Sequence, residues 1–556
     1  MTNVIQWSRC IHKRILGICF LKILSVINSL FITLLTKIII DAATSSRSNE
    51  IWIYGGVLIV LSLLMIVINY SVSLIHTHAS AKLQHTLRNK IVRTILSKDY
   101  SKLKGFHSGE LVNRVFSDVG IVHDGVLSIL PDIVGTIVSF AGAATILIIL
   151  DWRFVLLLFC AALIGLIIVI LFRKPFKARH KRLQKAFDGL QAVIQETFAN
   201  IRLIKASASE IRVMKQVDSK QQILEKEQIR QGKFTALMNN SMSLMFDFSW
   251  LFCMLWGCAA IYRGEMTYGS LAAMIQLIGR VQGPVASAVS IAGEAYRVIS
   301  SAERLMELTE IPAEEEGKVL EDFDEISLNG VSFRYEDGTD VILNNLNCLI
   351  HKGDFVALTG SSGGGKTSLF HLLLGIYKPT KGKVAFYYNG SETIANRGTR
   401  LLFAYVPQGN TLFSGTIRDN LMMFTDEASN EDINRAVKAA CIDDLIAESG
   451  LDAELGERGI GISEGQAQRI AVARALLTKA PILLLDESTS ALDEDTEARM
   501  LKNISAMRDK TCLIVTHRRA ALAICDYQLH LADGRMTKEK SMTKQEGICT
   551  TTKLQL

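Results

Sequence analysis

Two acidic residues directly follow a short apolar stretch near the end of the chain. Residues 482–485 (ILLL) are all apolar, which is typical of a strand buried on both faces, and Asp486 and Glu487 come next. Because open α/β sheets bind ligands at the carboxyl ends of their strands, both carboxylates are expected at a ligand site. Asp486 is placed to hold Mg²⁺, directly or through water. Glu487 is placed to orient and polarise a hydrolytic water.

A second motif has the pattern of a phosphate-binding loop. GSSGGGKT at 360–367 fits G-x-x-x-x-G-K-[ST], and it lies between an apolar strand and an apolar helix, as that loop requires. Its glycines let backbone N–H groups surround phosphates, Lys366 supplies a cation to the β- and γ-phosphates, and the Thr367 hydroxyl is a ligand for Mg²⁺. The predicted nucleotide-binding residues of this loop are Gly360, Ser361, Ser362, Gly363, Gly364, Gly365, Lys366, Thr367 and Ser368.

Residues 463–466 (SEGQ), upstream of the acidic pair, are predicted to begin a helix, and the first backbone N–H groups of a helix attract anions. Here the sequence resembles a known family. ISEGQ at 462–466 resembles the LSGGQ signature of ATP-binding cassette (ABC) proteins, ILLLDE their Walker B strand, and SALD at 490–493 their D-loop. The resemblance implies that this region of one chain closes over the ATP held by a partner chain. The residues implied to contact that ATP are Ser463, Gly465, Gln466 and Asp493.

Three further positions match the family. Tyr335 matches the aromatic residue on which adenine stacks, with a core or surface tyrosine as the alternative. Gln408 matches the glutamine that contacts Mg²⁺ or the attacking water, and His517 matches the histidine that contacts the γ-phosphate. The stretches TLFSGTIRDN at 411–420 and GERG at 456–459 continue the family pattern. The complete set implies a hydrolysing cassette that uses ATP and Mg²⁺.

The signature departs from the family at one position. Glu464 replaces the first glycine, and a carboxylate near the γ-phosphate of ATP would repel it. A carboxylate at a helix N-terminus is, however, stabilised by about 0.3–1 kcal/mol, and its side chain can turn outward. We therefore expect normal hydrolysis, with a glutamate that slows the enzyme as the alternative.

The composition separates a membrane part from a soluble part. The chain has 556 residues with a net charge of +6, and its mean hydropathy is +0.25 because the first 300 residues contain long apolar blocks. The basic residues crowd into particular loops, which indicates membrane orientation and not nucleic-acid binding. The ten cysteines lack zinc-ligand spacing, which favours reduced thiols.

Six apolar blocks are long enough to cross a bilayer. They lie at about 15–40, 52–77, 129–150, 154–172, 241–262 and 269–292. Lys and Arg are frequent in the loops after the second and fourth blocks, whereas the connections at 41–51, 151–153 and 263–268 have one Arg each. The chain is therefore expected to be a multi-pass protein of the cytoplasmic membrane, with both termini and the cassette in the cytoplasm.

This layout resembles the membrane domain of exporter-type ABC half-transporters. The loop stretches at 106–114 and 201–206 resemble that family's cytoplasmic loops, whose coupling helices press on the cassettes; ordinary amphipathic loop helices are the alternative. The predicted fold is a membrane α-helical domain of six transmembrane helices with long cytoplasmic extensions, followed by an α/β P-loop NTPase cassette with an antiparallel β subdomain and an α-helical subdomain. The expected boundaries are 1–311 for the membrane domain, 312–323 for the linker, 324–540 for the cassette and 541–556 for a frayed tail.

Polar residues within the apolar blocks indicate a substrate site, since ionisable groups at membrane depth usually face an interior or a cavity. We expect Asp247, Trp250, Gln276 and Arg280 to line a translocation cavity. The alternative is an internal Asp247–Arg280 ion pair that holds two helices in register.

The resemblance implies ATP-driven export of an amphipathic or polar solute, such as a peptide, lipid or drug-like molecule, by alternating access. Two composite ATP sites require a second half-transporter subunit, with a homodimer favoured and a heterodimer possible. An importer with the same fold and an ATP-gated channel or sensor are the alternatives. The partners expected are thus the second subunit, the lipid bilayer and the solute, but no nucleic acid.

Overall fold

The computed structural model describes residues 11–540 except 337, 339, 426, 457–460, 508 and 509. The family-like stretch at 456–459, apart from Gly456, and the tail at 541–556 lie outside the described residues. The chain divides into two compact units. The first comprises the chain up to Ile95 together with Ser108–Glu310, and the second comprises Leu96–His107 together with the chain from Ile311.

The first unit is built from long helices. They are α1 (His12–Thr44), α2 (Ser48–Leu96), α4 (Ser108–Asn113), a π-helical turn (Arg114–Asp118), α5 (Val119–Ala199), α6 (Ile201–Ala206), α7 (Glu210–Tyr262) and α8 (Tyr268–Glu310). The four-residue helix α3 (Tyr100–Leu103) belongs to the second unit. Within the described residues, four helical stretches are long and apolar enough to cross a bilayer: His12–Thr44, Ser48–Leu96, Ser108–Phe154 and Glu210–Tyr262.

These four stretches contain the first, second, third and fifth predicted spans. The fourth (154–172) continues helix α5, and the sixth (269–292) lies within α8; both include residues whose side chains the structure does not describe. Asp151 has an extended backbone (φ −161°, ψ 102°) that breaks α5 between the third and fourth spans. Its carboxylate accepts hydrogen bonds from the Arg153 backbone N–H (2.9 Å) and from Trp256 Nε1 (3.0 Å), which fixes this turn against α7.

A charged network joins α4 and the π-helical turn, which lead directly into α5, to the end of α8. Asp118 is buried, and it accepts two hydrogen bonds from the Arg304 guanidinium, one of them from Nε at 3.0 Å. Arg114, also buried, pairs with Glu110 and with Glu307 at 2.7 and 2.8 Å. Because a buried charge is stable only when it is paired and hydrogen-bonded, these contacts fix this segment and α8 relative to each other.

The second unit is an α/β domain with three sheets. Its strands are β1 (Glu325–Phe333), β2 (Leu343–His351), β3 (Phe355–Gly360), β4 (Lys381–Tyr388), β5 (Ser391–Ile394), β6 (Phe403–Val406), β7 (Gly415–Thr416), β8 (Glu454–Leu455), β9 (Ile482–Asp486), β10 (Thr511–Val515), β11 (Tyr527–Ala532) and β12 (Arg535–Lys540). The largest sheet has the order β12-β11-β3-β10-β9-β6 and is parallel except for β12. The antiparallel sheet β2-β1-β4-β5 and the small β7-β8 pair complete the set.

Helices cover the parallel sheet on both faces. They are α9 (Lys366–Leu373), α10 (Ile417–Met422), α11 (Asn430–Ala439), α12 (Asp443–Ser449), α13 (Glu464–Leu477), α14 (Glu494–Ser505) and α15 (Arg519–Ile524), with a 3₁₀ turn at Thr399–Leu402. One core lies between the parallel sheet, α9 and the antiparallel sheet, and the other lies between the parallel sheet and α10–α15. This confirms the predicted cassette with its antiparallel β and α-helical parts.

Residues 96–107 pack with the second unit although they follow the first long helix pair in sequence. The Asp99 N–H donates to the Pro312 carbonyl (3.2 Å), and the Glu314 N–H donates to the Ser97 carbonyl (2.9 Å). The Tyr100 ring meets the Tyr377 ring edge-on, with centroids 6.3 Å apart. The contacting residues, 97–100, therefore lie just before the stretch at 106–114 that resembles a cytoplasmic loop of the family.

Replacing Arg304 by Met is expected to destabilise the first unit. The change leaves Asp118 as a buried carboxylate without its cation, which costs about 1–3 kcal/mol. The measurement is the thermal unfolding midpoint of the purified protein in detergent. Adding Asp118→Asn should recover part of the loss, because the unpaired charge is removed. Arg47→Met is the control, since the Arg47–Glu50 pair is exposed. A double variant no more stable than Arg304→Met alone would contradict this role.

Candidate active site

The parallel strands bring four sequence-distant segments to one edge of the sheet. Strand β10 lies between β3 and β9, and its Val515 is paired with Leu358 on one side and with Asp486 on the other. On the far side of β9, Val406 of β6 is paired with Leu485. Since parallel strands end at the same edge, this register puts the phosphate-binding loop, the acidic pair, His517 and Gln408 at that edge.

The phosphate-binding loop has a backbone that requires glycine at its end. Gly365 is the N-cap of α9 and has a φ of +95°. A Cβ added there would lie 2.7 Å from Leu343 Cδ2 and 2.8 Å from Ile342 Cγ2, so any other residue would be strained and overpacked. The glycine turns the chain directly into α9, whose first N–H groups are free of intrahelical partners and point to where phosphates would lie.

Lys366 provides the positive charge of the loop. Its side chain is buried, and Nζ donates hydrogen bonds of 2.8 Å to the carbonyls of both Gly360 and Ser361. The ammonium group is therefore held inside the loop, ready to contact a phosphate. A compact lysine cation suits this role, because it can exchange carbonyl partners for phosphate oxygens.

Asp486 is the last residue of strand β9 and is almost completely buried. The residue is 1% exposed, and burial raises the pKa of its carboxyl group. The neighbouring Glu487 also raises that pKa, whereas a hydrogen bond from Thr367 and the charge of Lys366 lower it. The Tyr405 hydroxyl donates a hydrogen bond to Asp486 Oδ2 (3.4 Å). A cation beside this carboxylate would relieve the cost of burying its charge.

The donor set near Asp486 fits a magnesium ion. A carboxylate and the Thr367 hydroxyl are the hard oxygen ligands that Mg²⁺ prefers. Among the described residues no group of three or more His, Cys, Asp or Glu is clustered to hold a metal.

Glu487 is held in a sparsely populated backbone conformation. Its φ is +48°, which is uncommon for a residue other than glycine, and its side-chain Oε2 accepts a hydrogen bond of 2.6 Å from Gln408 Nε2. Strained residues of this kind persist only where the surroundings fix them, and they are frequent at active sites. The structure thus joins two predicted catalytic residues that are 79 positions apart in sequence.

His517 is exposed at the same edge, and Arg518 fixes the backbone next to it. The Arg518 guanidinium donates to the carbonyls of Ser490 (2.7 Å) and Leu492 (2.6 Å) and to Glu497 Oε2 (2.9 Å). Glu497 is fully buried and also accepts a hydrogen bond from Thr489. These contacts tie the histidine segment to the SALD segment.

Sequence reasoning missed Arg518 and Glu497. The sequence does indicate that Glu497 is buried, because it lies on the apolar stripe of α14, at helical spacing from Met500, Leu501 and Ile504. An acidic residue on a buried helix face requires a partner. Nothing in the sequence identified Arg518 as that partner.

Tyr335, the predicted adenine contact, lies in an aromatic cluster. Its ring meets those of Phe333 and Tyr377 edge-on, at centroid distances of 4.9 and 5.2 Å, and its hydroxyl lies 2.9 Å from Ser368 Oγ. The Lys104 ammonium lies over the ring, 4.3 Å from its centroid. An adenine base would therefore have to stack on the opposite face or displace Lys104.

The signature residues form the start of helix α13. Ser463 and Gln466 make a reciprocal capping box: the Gln466 N–H donates to Ser463 Oγ (3.2 Å) and the Ser463 N–H to Gln466 Oε1 (2.8 Å). A Cβ on Gly465 would lie 3.0 Å from the Ala491 carbonyl oxygen, so this glycine allows a close approach of the Ala491 backbone. Glu464, one position earlier, is exposed, so its side chain has room at the first position of the signature.

The signature and the phosphate-binding loop are not joined within the chain. In the described residues no hydrogen bond links Ser463 or Gln466 to residues 360–368. Asp493 instead caps helix α14, where its Oδ1 accepts a hydrogen bond of 2.9 Å from the Thr496 N–H. The predicted ATP contacts of Ser463, Gly465, Gln466 and Asp493 stay predictions about a partner chain.

The first unit contains a polar cavity of about 600 Å³ between α1, α5 and α8. Of the four residues predicted to line a cavity, the structure places Arg280 there. Asp247, Trp250 and Gln276 are exposed in the single chain and are not among the residues that line this cavity, so their predicted place in a translocation cavity stays a prediction. The alternative Asp247–Arg280 ion pair is replaced by hydrogen bonds from Arg280 to the Ser29 hydroxyl and carbonyl.

Comparisons with known proteins agree over nearly the whole chain. A family model described as the ABC transporter transmembrane region matches residues 15–285, and one described as ABC transporter matches residues 343–490. The chain is 29% identical to the ABC transporter ATP-binding protein YfiB of Bacillus subtilis, over 91% of this chain and 89% of that protein. It is 27% identical to an ATP-dependent lipid A-core flippase of Desulfotalea psychrophila, over 93% and 95% of the two chains.

Two further similarities concern activity and fold. A multidrug resistance ABC transporter ATP-binding and permease protein of Lactococcus lactis is 28% identical over 77% of this chain and 74% of that protein. The solved structure of a bacterial Atm1-family ABC exporter with ATP bound is similar with a TM-score of 0.83 at 20% identity, covering 98% of this chain and all of that one. At that identity the structural likeness shows the fold.

Replacing Arg518 by Ala is expected to lower the kcat of ATP hydrolysis about ten- to hundredfold, since small displacements of a catalytic segment have effects of that size. The Arg518 guanidinium contacts Ser490, Leu492 and Glu497 and not the phosphate-binding loop, so the KM for ATP should change little. Steady-state ATPase kinetics measure both constants. Arg519→Ala, at the exposed neighbouring position, is the control. A raised KM with an unchanged kcat would rule out this positioning role.

Glu464→Gly is expected to change ATPase activity by less than about fivefold, because charge effects at a helix N-terminus reach only about 1 kcal/mol. Gly465→Ala, one position further, should reduce activity much more, because its Cβ would press on the Ala491 carbonyl. Both variants are compared with the parent in one ATPase assay. A larger rise in Glu464→Gly would instead identify Glu464 as a brake on hydrolysis.

Proposed function

Because this chain belongs to the ABC transporter family, we propose that it exports an amphipathic or polar solute across the cytoplasmic membrane by alternating access. It is a multi-pass membrane protein whose cassette binds ATP and couples ATP hydrolysis to transport. The main observation behind the proposal is that one chain contains both a nucleotide site and four apolar helical stretches long enough to cross a bilayer. The residues that meet at the nucleotide site are Lys366, Thr367, Asp486, Glu487 and Gln408. The names of the Desulfotalea flippase and the Lactococcus multidrug transporter support export of amphipathic molecules.

The active form is a dimer of two such chains. A half-transporter has one cassette, and its signature at Ser463 is not bonded to its own phosphate-binding loop. A second chain arranged head-to-tail would bring the signature of each subunit over the ATP of the other. The presence of both Glu487 and His517 favours a homodimer, because each copy then has a complete hydrolytic site; a heterodimer is the alternative.

Each catalytic residue has a defined task in this proposal. Lys366 and the backbone N–H groups of the loop bind the β- and γ-phosphates. Thr367 and Asp486, with Gln408 nearby, would hold Mg²⁺, which when bound neutralises charge on the phosphates. Glu487, oriented by its hydrogen bond from Gln408, polarises the attacking water, and His517 contacts the γ-phosphate.

Electrostatics support an orientation with the cassette in the cytoplasm. The basic loops after the second and fourth apolar blocks carry far more Lys and Arg than the short connections on the other side. ATP is then available on the side from which the solute is taken. The fold would also serve an importer or an ATP-gated channel, so the direction of transport needs a direct test.

Inside-out vesicles containing the protein should accumulate a solute when ATP is added, tested with a panel of a drug-like dye, a fluorescent lipid and short peptides. Glu487→Gln is the control: it should still bind ATP but hydrolyse it at least about a hundredfold more slowly, because the general base is lost. Accumulation should disappear with it. Uptake only in right-side-out vesicles, or ion conductance without accumulation, would contradict export.

A further inference from the structure

The cavity in the first unit contains four ionisable residues. Lys22 on α1, Asp132 on α5, and Arg280 and Glu294 on α8 all line it. Lys22, Asp132 and Arg280 lie within predicted spans, and Glu294 lies two residues beyond the sixth. Charged residues in such helices are energetically costly, and they commonly mark a substrate or ion pathway.

Two of these four charges neutralise each other. Lys22 Nζ lies 3.2 Å from Asp132 Oδ1, and both side chains are partly exposed to the cavity. This pair needs no further partner of opposite charge. It also separates the cavity into two ends, each with one remaining charge.

Arg280 is a cation with neutral partners. Its guanidinium donates to the hydroxyl and the carbonyl of Ser29. No ion pair of the described residues includes Arg280, and the first-unit side chains outside the description comprise no Asp or Glu. A carboxylate or phosphate would make a charge-assisted, bidentate contact with this guanidinium.

Glu294 is the matching anion at the other end. Its Oε1 accepts a hydrogen bond of 2.8 Å from the Ser128 hydroxyl, and no ion pair of the described residues includes it. An amine or ammonium group would find in it a partner of opposite charge. The two unpaired charges therefore differ in sign.

The helices give the separation along the helix axis between the backbone positions that carry these charges. Fourteen residues of α8 separate Arg280 from Glu294, or about 21 Å at 1.5 Å per residue. A second route runs through the partners of these residues, because Arg280 contacts Ser29 and Glu294 contacts Ser128. Along α1, Ser29 lies about 10 Å from Lys22, and along α5, Asp132 lies about 6 Å from Ser128. The two helical segments together span about 16 Å. Both routes place the Lys22–Asp132 pair between the two ends.

We propose that the transported solute is an elongated zwitterion, a short linear peptide whose terminal carboxylate binds Arg280 and whose terminal amine binds Glu294. A span of 16–21 Å corresponds to about five or six extended residues at about 3.3–3.6 Å each. The phosphate and amine of a phospholipid headgroup are only a few bonds apart and cannot reach both charges. This inference rests on the proposed transport function, whose site it specifies.

The test measures direct binding and ATPase stimulation with one uncharged-side-chain pentapeptide in three forms: free termini, C-terminal amide and N-acetyl. Detergent-purified protein reports binding, and proteoliposomes report stimulation. The free peptide should bind best, and each blocked form should bind about ten- to hundredfold more weakly. Arg280→Gln should abolish the preference for the free carboxylate but keep that for the free amine. Glu294→Gln should do the reverse.

Arg263→Gln, in an exposed ion pair with Glu265, is the matched control and should retain all preferences and the basal ATPase rate. Equal binding of the three peptide forms, or blocking effects that persist in both variants, would overturn the inference. If the dye or lipid accumulates in vesicles while the free peptide neither binds nor stimulates, the inference fails and the transport function stands. If no solute accumulates although the peptide binds as described, export fails and the peptide site stands.

Discussion

The buried carboxylate of Asp486 is the constraint on which the nucleotide site depends. It ends a strand that is buried along its whole length, and its charge has lost almost all contact with water. Such a charge is tolerated only beside hydrogen-bond donors and cations. Thr367 and Tyr405 supply the donors and Lys366 supplies positive charge, so the phosphate-binding loop and the acidic strand end have to lie together.

Next to Asp486, the residues proposed to act on water and on the γ-phosphate are held in place by other parts of the protein. Glu487 keeps an unfavourable backbone conformation and a hydrogen bond from Gln408. The segment beside His517 is tied to residues 490–492 through Arg518. Such support matters, because a catalytic group is effective only in a narrow range of positions. The signature, by contrast, is capped internally and remains available for a second subunit.

In the first unit the same electrostatic rule has two different outcomes. Where a charge has to be structural, it is paired, as for Asp118 with Arg304. Of the charges that line the cavity, Lys22 and Asp132 pair with each other, whereas Arg280 and Glu294 have only hydroxyl or carbonyl partners among the described residues. This contrast separates residues that hold the helices together from residues that a solute could contact.

The sequence alone determined the local motifs. The phosphate-binding loop, the acidic strand end and the helix-capping signature each lie within a few consecutive residues, so their spacing is sufficient to identify them. The tertiary structure decided which distant residues meet: Gln408 with Glu487, Arg518 with Glu497, and Asp132 and Glu294 in a cavity that Asp247, Trp250 and Gln276 do not line. Strand register and the rotation of each helix about its axis set those contacts, and both depend on packing between segments far apart in the chain.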